Sequence, residues 1–516
     1  MRLAKPLQYL QLAMLTALQF PLMAHGEWLV PESVAANPVT PASATSAVKP
    51  APNIVVILAD DMGWNDVSYN GSEINTPNID HLATQGVQLD RFYAQPSCTP
   101  TRTALLTGNS PQSQGIYSPM SKLNPKGLPL EQKLMPQYLK KAGYQTLMAG
   151  KWHLGFHEPE YRPTARGFDH FYGHLTGGVG YWDHVHGGGL DWQRNGETLR
   201  EEGYSTHLLS SEIERLIQQR NPNQPMFLYA AFNAPHLPNE APQAAIAKYP
   251  HIENPHRRIH AAMVSELDDA IGKLMATLES EGMLDNTLVW FMSDNGGLNI
   301  SAAPTWRVNL SQRLESWFGK PLPNRLLEFI RVNSLEGGSD NLPFAKGKQS
   351  IYEGGVRVPS AIYWQGKILP GKSQQMVTVQ DVLPTILNAA KLGSDTLGND
   401  SQFDGSNQWQ NLNSEGSGKA NDYLVNGIDG QAFFRFPWKL LALNSGEFEL
   451  YQLIDDPTEK NDVSEQYPQR VVQLQKALQT MPQADSIHVP LYKVVMDMDF
   501  FGGLEDRPPW SEFVAD

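Results

Sequence analysis

Four short apolar runs between positions 53 and 297 each end on residues suited to chemistry. Asn53–Ala59 (NIVVILA) stops on Asp60 and Asp61, and 145–149 (QTLMA) leads into Gly150, Lys151, Trp152 and His153. The run 226–232 (MFLYAAF) precedes Asn233, Ala234, Pro235 and His236, and 287–292 (TLVWFM) precedes Ser293, Asp294, Asn295, Gly296 and Gly297. Runs of this length that stay apolar rather than alternate fit strands covered on both faces. Between them the period turns helical. Thr76 and Pro77 open a segment that closes on Gly86, with threonine as cap and proline at the first helical position. Residues 131–142 close on Gly143, and Pro136 within them implies a late start or a kink. Residues 261–281 form a longer amphipathic run stopped by Gly282. Strand alternating with helix predicts an α/β fold: a large, mainly parallel sheet sandwiched by helices. Ligand sites in such sheets lie beyond the carboxyl ends of the strands, so the four polar clusters should meet at one edge.

Outside this body the pattern changes. Residues 1–26 carry basic Arg2 and Lys5, a moderately apolar core from Leu7 to Leu22, and small Ala24 and Gly26, the pattern of an export signal cut before Glu27. Residues 27–51, rich in Pro, Ala, Ser and Thr, predict a flexible linker. The main domain is then 52–421, with an insertion at 298–342. A C-terminal subdomain and tail occupy 422–516, where 431–444 and 447–454 are strand-like and 468–478 helical. No later stretch approaches about 20 uninterrupted apolar residues, so no membrane span is expected. With 41% hydrophobic residues and 38 prolines the chain fits a loop-rich globular enzyme. A net charge of −14 without any Lys/Arg block argues against a nucleic-acid partner, though not against a local cationic pocket.

Asp60, Asp61, Asp294 and Asn295 are hard oxygen donors, a set suited to Ca²⁺ or Mg²⁺ rather than zinc. Either motif alone also serves as a cap or a turn, but two oxygen-rich strand ends in one sheet favour a metal. Around them the chain supplies Arg102, Lys151, His153, His236 and Lys348. Cations beside a metal ion suit a multiply oxygenated anion, sulfate or phosphate, with a histidine to handle protons. Cys98 is the only cysteine in 516 residues and has no disulfide partner. The Cys-x5-Arg loop of tyrosine phosphatases does not fit, because position 104 is alanine.

Cys98-Thr-Pro-Thr-Arg102, followed by TALLTG at 103–108, resembles the signature of the type I sulfatases, and GYQTLMAGKWH at 143–153 resembles their second signature. ADDMGWNDVSYNG from 59, APH at 234–236, SDNGG at 293–297 and YEGGVRVP at 352–359 also match, in the family's order, over roughly 52–463. The pattern is most similar to the arylsulfatase B-like, N-acetylgalactosamine-4-sulfatase-like branch. The resemblance implies an alkaline-phosphatase-like sulfatase fold, with a small C-terminal subdomain of a short antiparallel sheet and a helix, and a sulfuric ester hydrolase acting on a sulfated carbohydrate. It also implies that a formylglycine-generating maturation enzyme converts Cys98 to Cα-formylglycine, whose hydrate attacks sulfur and then collapses by C–O cleavage. Asp60, Asp61, Asp294 and Asn295, with residue 98, would hold Ca²⁺. Lys151 and Lys348 would stabilise charge and Arg102 would orient the diol. His236 would protonate the leaving group, and His153 would take the remaining hydroxyl proton.

The chain departs from the family pattern after SDNGG. Residues 298–342 intervene before Phe344-Ala-Lys346-Gly-Lys348, so Lys346 rivals Lys348 as the site lysine. The insertion carries Trp306, Trp317, Phe318 and Phe329 and reads as a surface excursion or a wall of the cleft. The loop 177–186 (GGVGYWDHVH) offers Asp183, His184 and His186 as substrate contacts beside aromatic rings. Two other readings stay open: a phosphoesterase or phosphonate monoester hydrolase of related fold, and a non-catalytic carbohydrate-binding protein that keeps its thiol. With the export signal, the resemblance implies a periplasmic or secreted enzyme.

Overall fold

The structure, a computed structural model, describes residues 51–121, 124–186, 189–299, 337–393, 402–412 and 420–488 and the backbone of 512–513. The export signal, nearly all of the linker, and Trp306, Trp317, Phe318 and Phe329 of the insertion lie outside the described residues.

The strands are, in chain order, β1 (Asn53–Ala59), β2 (Val87–Tyr93), β3 (Gln145–Lys151), β4 (His170–His174), β5 (Val185–His186), β6 (Gly189–Leu190), β7 (Gln193–Arg194) and β8 (Glu197–Thr198). There follow β9 (Met226–Ala231), β10 (Thr287–Ser293), β11 (Ser360–Tyr363), β12 (Gly371–Thr378), β13 (Tyr423–Gly427), β14 (Gly430–Arg435), β15 (Trp438–Leu443) and β16 (Phe448–Gln452). The helices used below are α1 (Pro77–Gln85), α2 (Cys98–Thr107), α3 (Met135–Lys141), α4 (Ser205–Gln218), α5 (Gln243–Ile246), α6 (Pro255–Ser280), α7 (Glu353–Val356), α8 (Val382–Ala389) and α9 (Pro468–Thr480).

Among the described residues the large sheet has ten strands in the order β12-β2-β11-β10-β1-β9-β3-β4-β7-β8. Its centre is parallel: β1 pairs with β10 and β9, β9 with β3, and β3 with β4. β11 runs antiparallel between β10 and β2, and β7 and β8 run antiparallel at the far edge, so the whole sheet is mixed. The four apolar runs are the four neighbouring strands β10, β1, β9 and β3. Because successive side chains point to opposite faces, Ile54, Val56 and Leu58 join one core and Val55, Ile57 and Ala59 the other. The first core is covered by α2, α3 and α8, the second by α1, α4 and α6. No helix among the described residues is long and apolar enough to cross a membrane.

α3 has the late start that Pro136 implies, and α6 begins earlier than expected. α3 starts late, at Met135, and accommodates Pro136 in its first turn, where a missing N–H costs nothing. α6 starts at Pro255, ahead of 261, because the Asn254 side chain accepts from the backbone N–H of His256 and Arg257. α2 starts at Cys98 itself, with Ser97 as its N-cap residue.

β13 to β16 form a four-stranded antiparallel sheet in sequence order. One face packs Val425, Phe434 and Leu441 against Tyr93, Ile351 and Met376, and the other is covered by Leu474 and Leu478 of α9. Across this boundary Lys439 Nζ on β15 sits 3.0 Å from Glu353 Oε1 on α7 and 2.6 Å from Glu459 Oε1, with all three side chains fully buried. Tyr93 donates its hydroxyl to Glu353 Oε2 at 2.8 Å.

Candidate active site

Parallel neighbours end on one edge, and the polar residues beyond β10, β1, β9 and β3 meet there. The Asp60 N–H donates to Ala234 O and the Asp294 N–H to Ala59 O, both at 3.0 Å, which locks the three strand ends together. Asp61 takes the left-handed conformation (φ 66°), which aspartate tolerates better than most residues, and its N–H donates to Asp294 Oδ1 at 3.1 Å. Asn295 Nδ2 donates to Asp61 Oδ1 at 2.7 Å. Each carboxylate has its own cation. Lys151 Nζ reaches Asp60 Oδ2 and Lys348 Nζ reaches Asp61 Oδ2, both at 2.6 Å. Arg102 forks onto Asp294 Oδ2 at 2.9 and 3.2 Å and donates Nη1 to Lys151 O at 2.8 Å.

The donor set fits a hard cation. Asp60 Oδ1 and Asn295 Oδ1 are buried and accept no hydrogen bond. Ligand atoms of Asp60, Asp61, Cys98 and His236 all lie within 4.8 Å of one another. Burial, with Asp60 alongside, pushes the Asp294 carboxyl upward despite Arg102, so a cation bound there would favour its ionised form. Burial acts the same way on Asp61, but Lys348, His236 and Lys151 overcome it and hold that carboxyl well below the usual range.

Cys98 is the first residue of α2 and is 2% exposed. Burial pushes its thiol up, more than Lys151 and Lys348 pull it down, so the unmodified side chain is a thiol at neutral pH and a weak nucleophile. Both histidines are held neutral. Burial and then Lys151 lower His153, while burial and then Lys348 bring His236 down to about 3. His153 Nε2 lies 3.0 Å from Met120 O and therefore carries the proton, which leaves a lone pair on buried, unpartnered Nδ1. His236 Nδ1 is paired with Leu237 O at 2.6 Å, leaving Nε2 inward, 3.5 Å from Asp61 Oδ2. Gly177 and Gly178 admit the two rings: a Cβ at 177 would stand 2.8 Å from His153 Cε1, and one at 178 would stand 3.1 Å from His236.

The structure therefore joins Asp60, Asp61, Cys98, Arg102, Lys151, His236, Asp294, Asn295 and Lys348 in one cluster, with His153 beside it. Lys346 goes elsewhere, 3.5 Å from Asp429 and over the Tyr352 ring, with its side chain half exposed. Asp183 is exposed and accepts the Val185 N–H at 3.0 Å. His184 is buried, stacked on Trp192 with centroids 4.5 Å apart. His186 Nδ1 binds Gly178 O at 2.5 Å and so stays with the loop that covers both site histidines.

Two supporting residues escaped the sequence reading. Asn341, 2% exposed, accepts the Gly297 N–H and donates to Gly297 O, both at 2.9 Å, and that same carbonyl accepts the Lys348 N–H at 3.0 Å. Asp66, fully buried, accepts from Arg257, His260 and Ser339 and from the N–H groups of Gly63 and Asp340. For Asp66 the available signal was Arg257 and His260 at helical i, i+3 spacing, two polar positions at the start of an amphipathic run.

Known proteins show the same arrangement of sequence and fold. A family model described as Sulfatase matches residues 52–392. Arylsulfatase J of Mus musculus is 34% identical over 390 residues, 73% of this chain and 58% of its own. N-acetylgalactosamine-6-sulfatase of Mus musculus is 35% identical over 365 residues, 66% of this chain and 63% of its own. The chain thus spans 58–63% of the length of these two relatives. The crystal structure of Ps i-CgsB in complex with k-i-k-neocarrahexaose superposes with a TM-score of 0.74 at 29% identity, covering 86% of this chain and 96% of that one.

Proposed function

The chain belongs to the sulfatase family, and we propose that it hydrolyses sulfate esters of a sulfated poly- or oligosaccharide with a nucleophile made from Cys98 beside a Ca²⁺ ion. The observation that carries this reading is the interleaving of three carboxylates with three cations around one buried cysteine. Asp60, Asp61, Asp294 and Asn295, with residue 98, would hold the ion, through oxygens that include the unpartnered Asp60 Oδ1 and Asn295 Oδ1. When bound, the ion would neutralise charge on the sulfuryl group, and residue 98, once matured to hydrated formylglycine, would supply the attacking oxygen.

The chain's own side chains do the rest. Lys151 and Lys348 present ammonium groups to the sulfuryl oxygens from two sides, where charge builds up in the transition state. Arg102 keeps Asp294 and the end of β3 in register, so its role is to position. His153, neutral with Nδ1 open, can receive a proton. His236 offers Nε2 to the departing sugar oxygen. The negative charge of a bound sulfate ester opposes its depressed basicity and favours the protonated form needed there. A saccharide substrate is supported by the neocarrahexaose bound to the structural relative. The basic start and apolar core of residues 1–26 support export to the periplasm or medium, with a formylglycine-generating enzyme acting first.

The test combines mass and turnover. Protein co-expressed with a maturation enzyme should lose the mass of H₂S and gain that of O at residue 98, and should release sulfate from at least one sulfated oligosaccharide. Retention of the thiol together with no sulfate release, or faster hydrolysis of phosphate than of sulfate esters, would sink the proposal.

A further inference from the structure

Among the described residues one tryptophan is more than a third exposed: Trp182, at 50%. A single exposed apolar residue is ordinary and means nothing alone. Its setting is not ordinary. Trp182 follows Tyr181, a fully buried ring whose hydroxyl donates to Asn233 O and His236 O, both at 2.9 Å. The Tyr181 N–H is tied to Glu240 Oε2 at 2.9 Å. The same loop carries Gly177 and Gly178 against His153 and His236. The indole leans on Tyr204, centroids 5.2 Å apart at 51°. Tyr204 is fixed in turn by stacking on Tyr181 (5.1 Å, 20°) and by donating its hydroxyl to Glu240 O at 2.9 Å. A buried aromatic ladder thus steadies Trp182 from beneath and leaves half of its surface to solvent. The next two residues offer less: Asp183 caps its own turn and His184 is buried on Trp192.

We propose that Trp182 is the stacking platform for the sugar ring adjoining the one that carries the scissile sulfate. The inference rests on the carbohydrate reading of the site. A pyranose offers a flat C–H face that packs on an indole while its hydroxyl and sulfate groups stay at the edges, in water. A ring already held by its neighbours loses little freedom on binding, so the contact is retained as affinity. The rung order Trp182–Tyr204–Tyr181 sets the indole two rings away from the backbone of His236. The same loop lays Gly178 against the His236 ring, which assigns the platform to the sugar beside the one whose oxygen His236 would protonate.

The test compares Trp182→Ala and Trp182→Phe on a sulfated neocarrageenan hexasaccharide and on 4-nitrocatechol sulfate, which has no second ring. The ratio of kcat/KM for hexasaccharide over aryl sulfate should fall about tenfold in Trp182→Ala, through KM, and Phe should restore most of it. An unchanged ratio overturns the proposal. Calorimetry of the hexasaccharide on Cys98→Ala protein separates the two claims. Binding that weakens about tenfold on adding Trp182→Ala supports the platform even if the wild type releases no sulfate from sugar, a result that would defeat the functional reading alone. No binding of the hexasaccharide to Cys98→Ala protein overturns the platform for this saccharide class.

Discussion

Lys346 and Lys348 are separated by one glycine, and no pattern of polarity tells them apart. Geometry does: one is 2.6 Å from Asp61, the other lies over Tyr352 in solvent. Lys348→Ala should lower kcat/KM about 10²–10³-fold, the usual cost of removing one fixed stabiliser of developing charge. Lys346→Ala should stay within about threefold of wild type, since an exposed ion pair contributes little. Steady-state kinetics on one sulfate ester settle the choice, and equal losses would reverse the assignment. The clustered carboxylates Asp60, Asp61 and Asp294 stood out in the sequence because each follows an unbroken apolar strand. His184 was misleading in the same loop that held a useful residue: composition shows a histidine among aromatics but not which ring it stacks on. Trp182 and His184 are two residues apart, and a turn sends one outward and the other into the core.

Helices and strands were readable where a single period governs them. The alternation in β1 feeds two cores at once, and the caps Thr76 and Gly86 bound α1 as written. The start of α6 was hidden because its first turns carry Arg257 and His260, which face Asp66 rather than an apolar core. Asp66→Ala should therefore cost about 3–5 kcal/mol in denaturant unfolding, since it strands a buried arginine and a histidine. A cost under about 1 kcal/mol would show that the hub is not structural. A second element-level feature is the segment leading to His488. The N–H groups of Ala484 and Ile487 donate to Gln112 O and Gly115 O, and His488 Nε2 accepts from Tyr117 and Ser118 at 3.1 and 3.3 Å. Burial lowers His488 to about 4 from an ordinary 6.5. A depressed histidine means that the unfolded chain takes up the proton first, so the segment's contribution is complete above about pH 6.5 and is lost as pH falls towards about 4. Amide exchange at Tyr117 and Ser118, corrected for intrinsic rates, should accelerate across that window. His488→Ala should exchange fast at every pH, and a flat profile in the wild type would refute the argument.

At the scale of the folded unit Pro50–Asp516, the sheet order brings β2 into the same direction as β10 through the antiparallel β11, and so delivers Cys98 to the edge where Asp60, Asp61 and Asp294 stand. No local pattern announces that long-range pairing, so the meeting of the four strand ends could be read from the sequence while the arrival of Cys98 among them rested on the family resemblance. The C-terminal sheet was legible as strands. Its attachment was not, because Lys439 reads as an ordinary polar residue ahead of the apolar run 440–443. Lys439→Met should cost about 3–5 kcal/mol by leaving Glu353 and Glu459 buried without their shared cation. Differential scanning calorimetry at pH 7 measures it, and an unchanged melting temperature would count against the bridge.

The same three charges bear on how such a chain can be inherited. A protein cut before β13 keeps Glu353 and loses both Lys439 and Glu459, and a protein given a foreign C-terminal sheet keeps a carboxylate that demands a partner of matching reach. Shuffling at this boundary is therefore penalised unless α7 travels with the sheet. Recombinant hybrids joined upstream of Glu353 should therefore melt higher than hybrids joined just before β13.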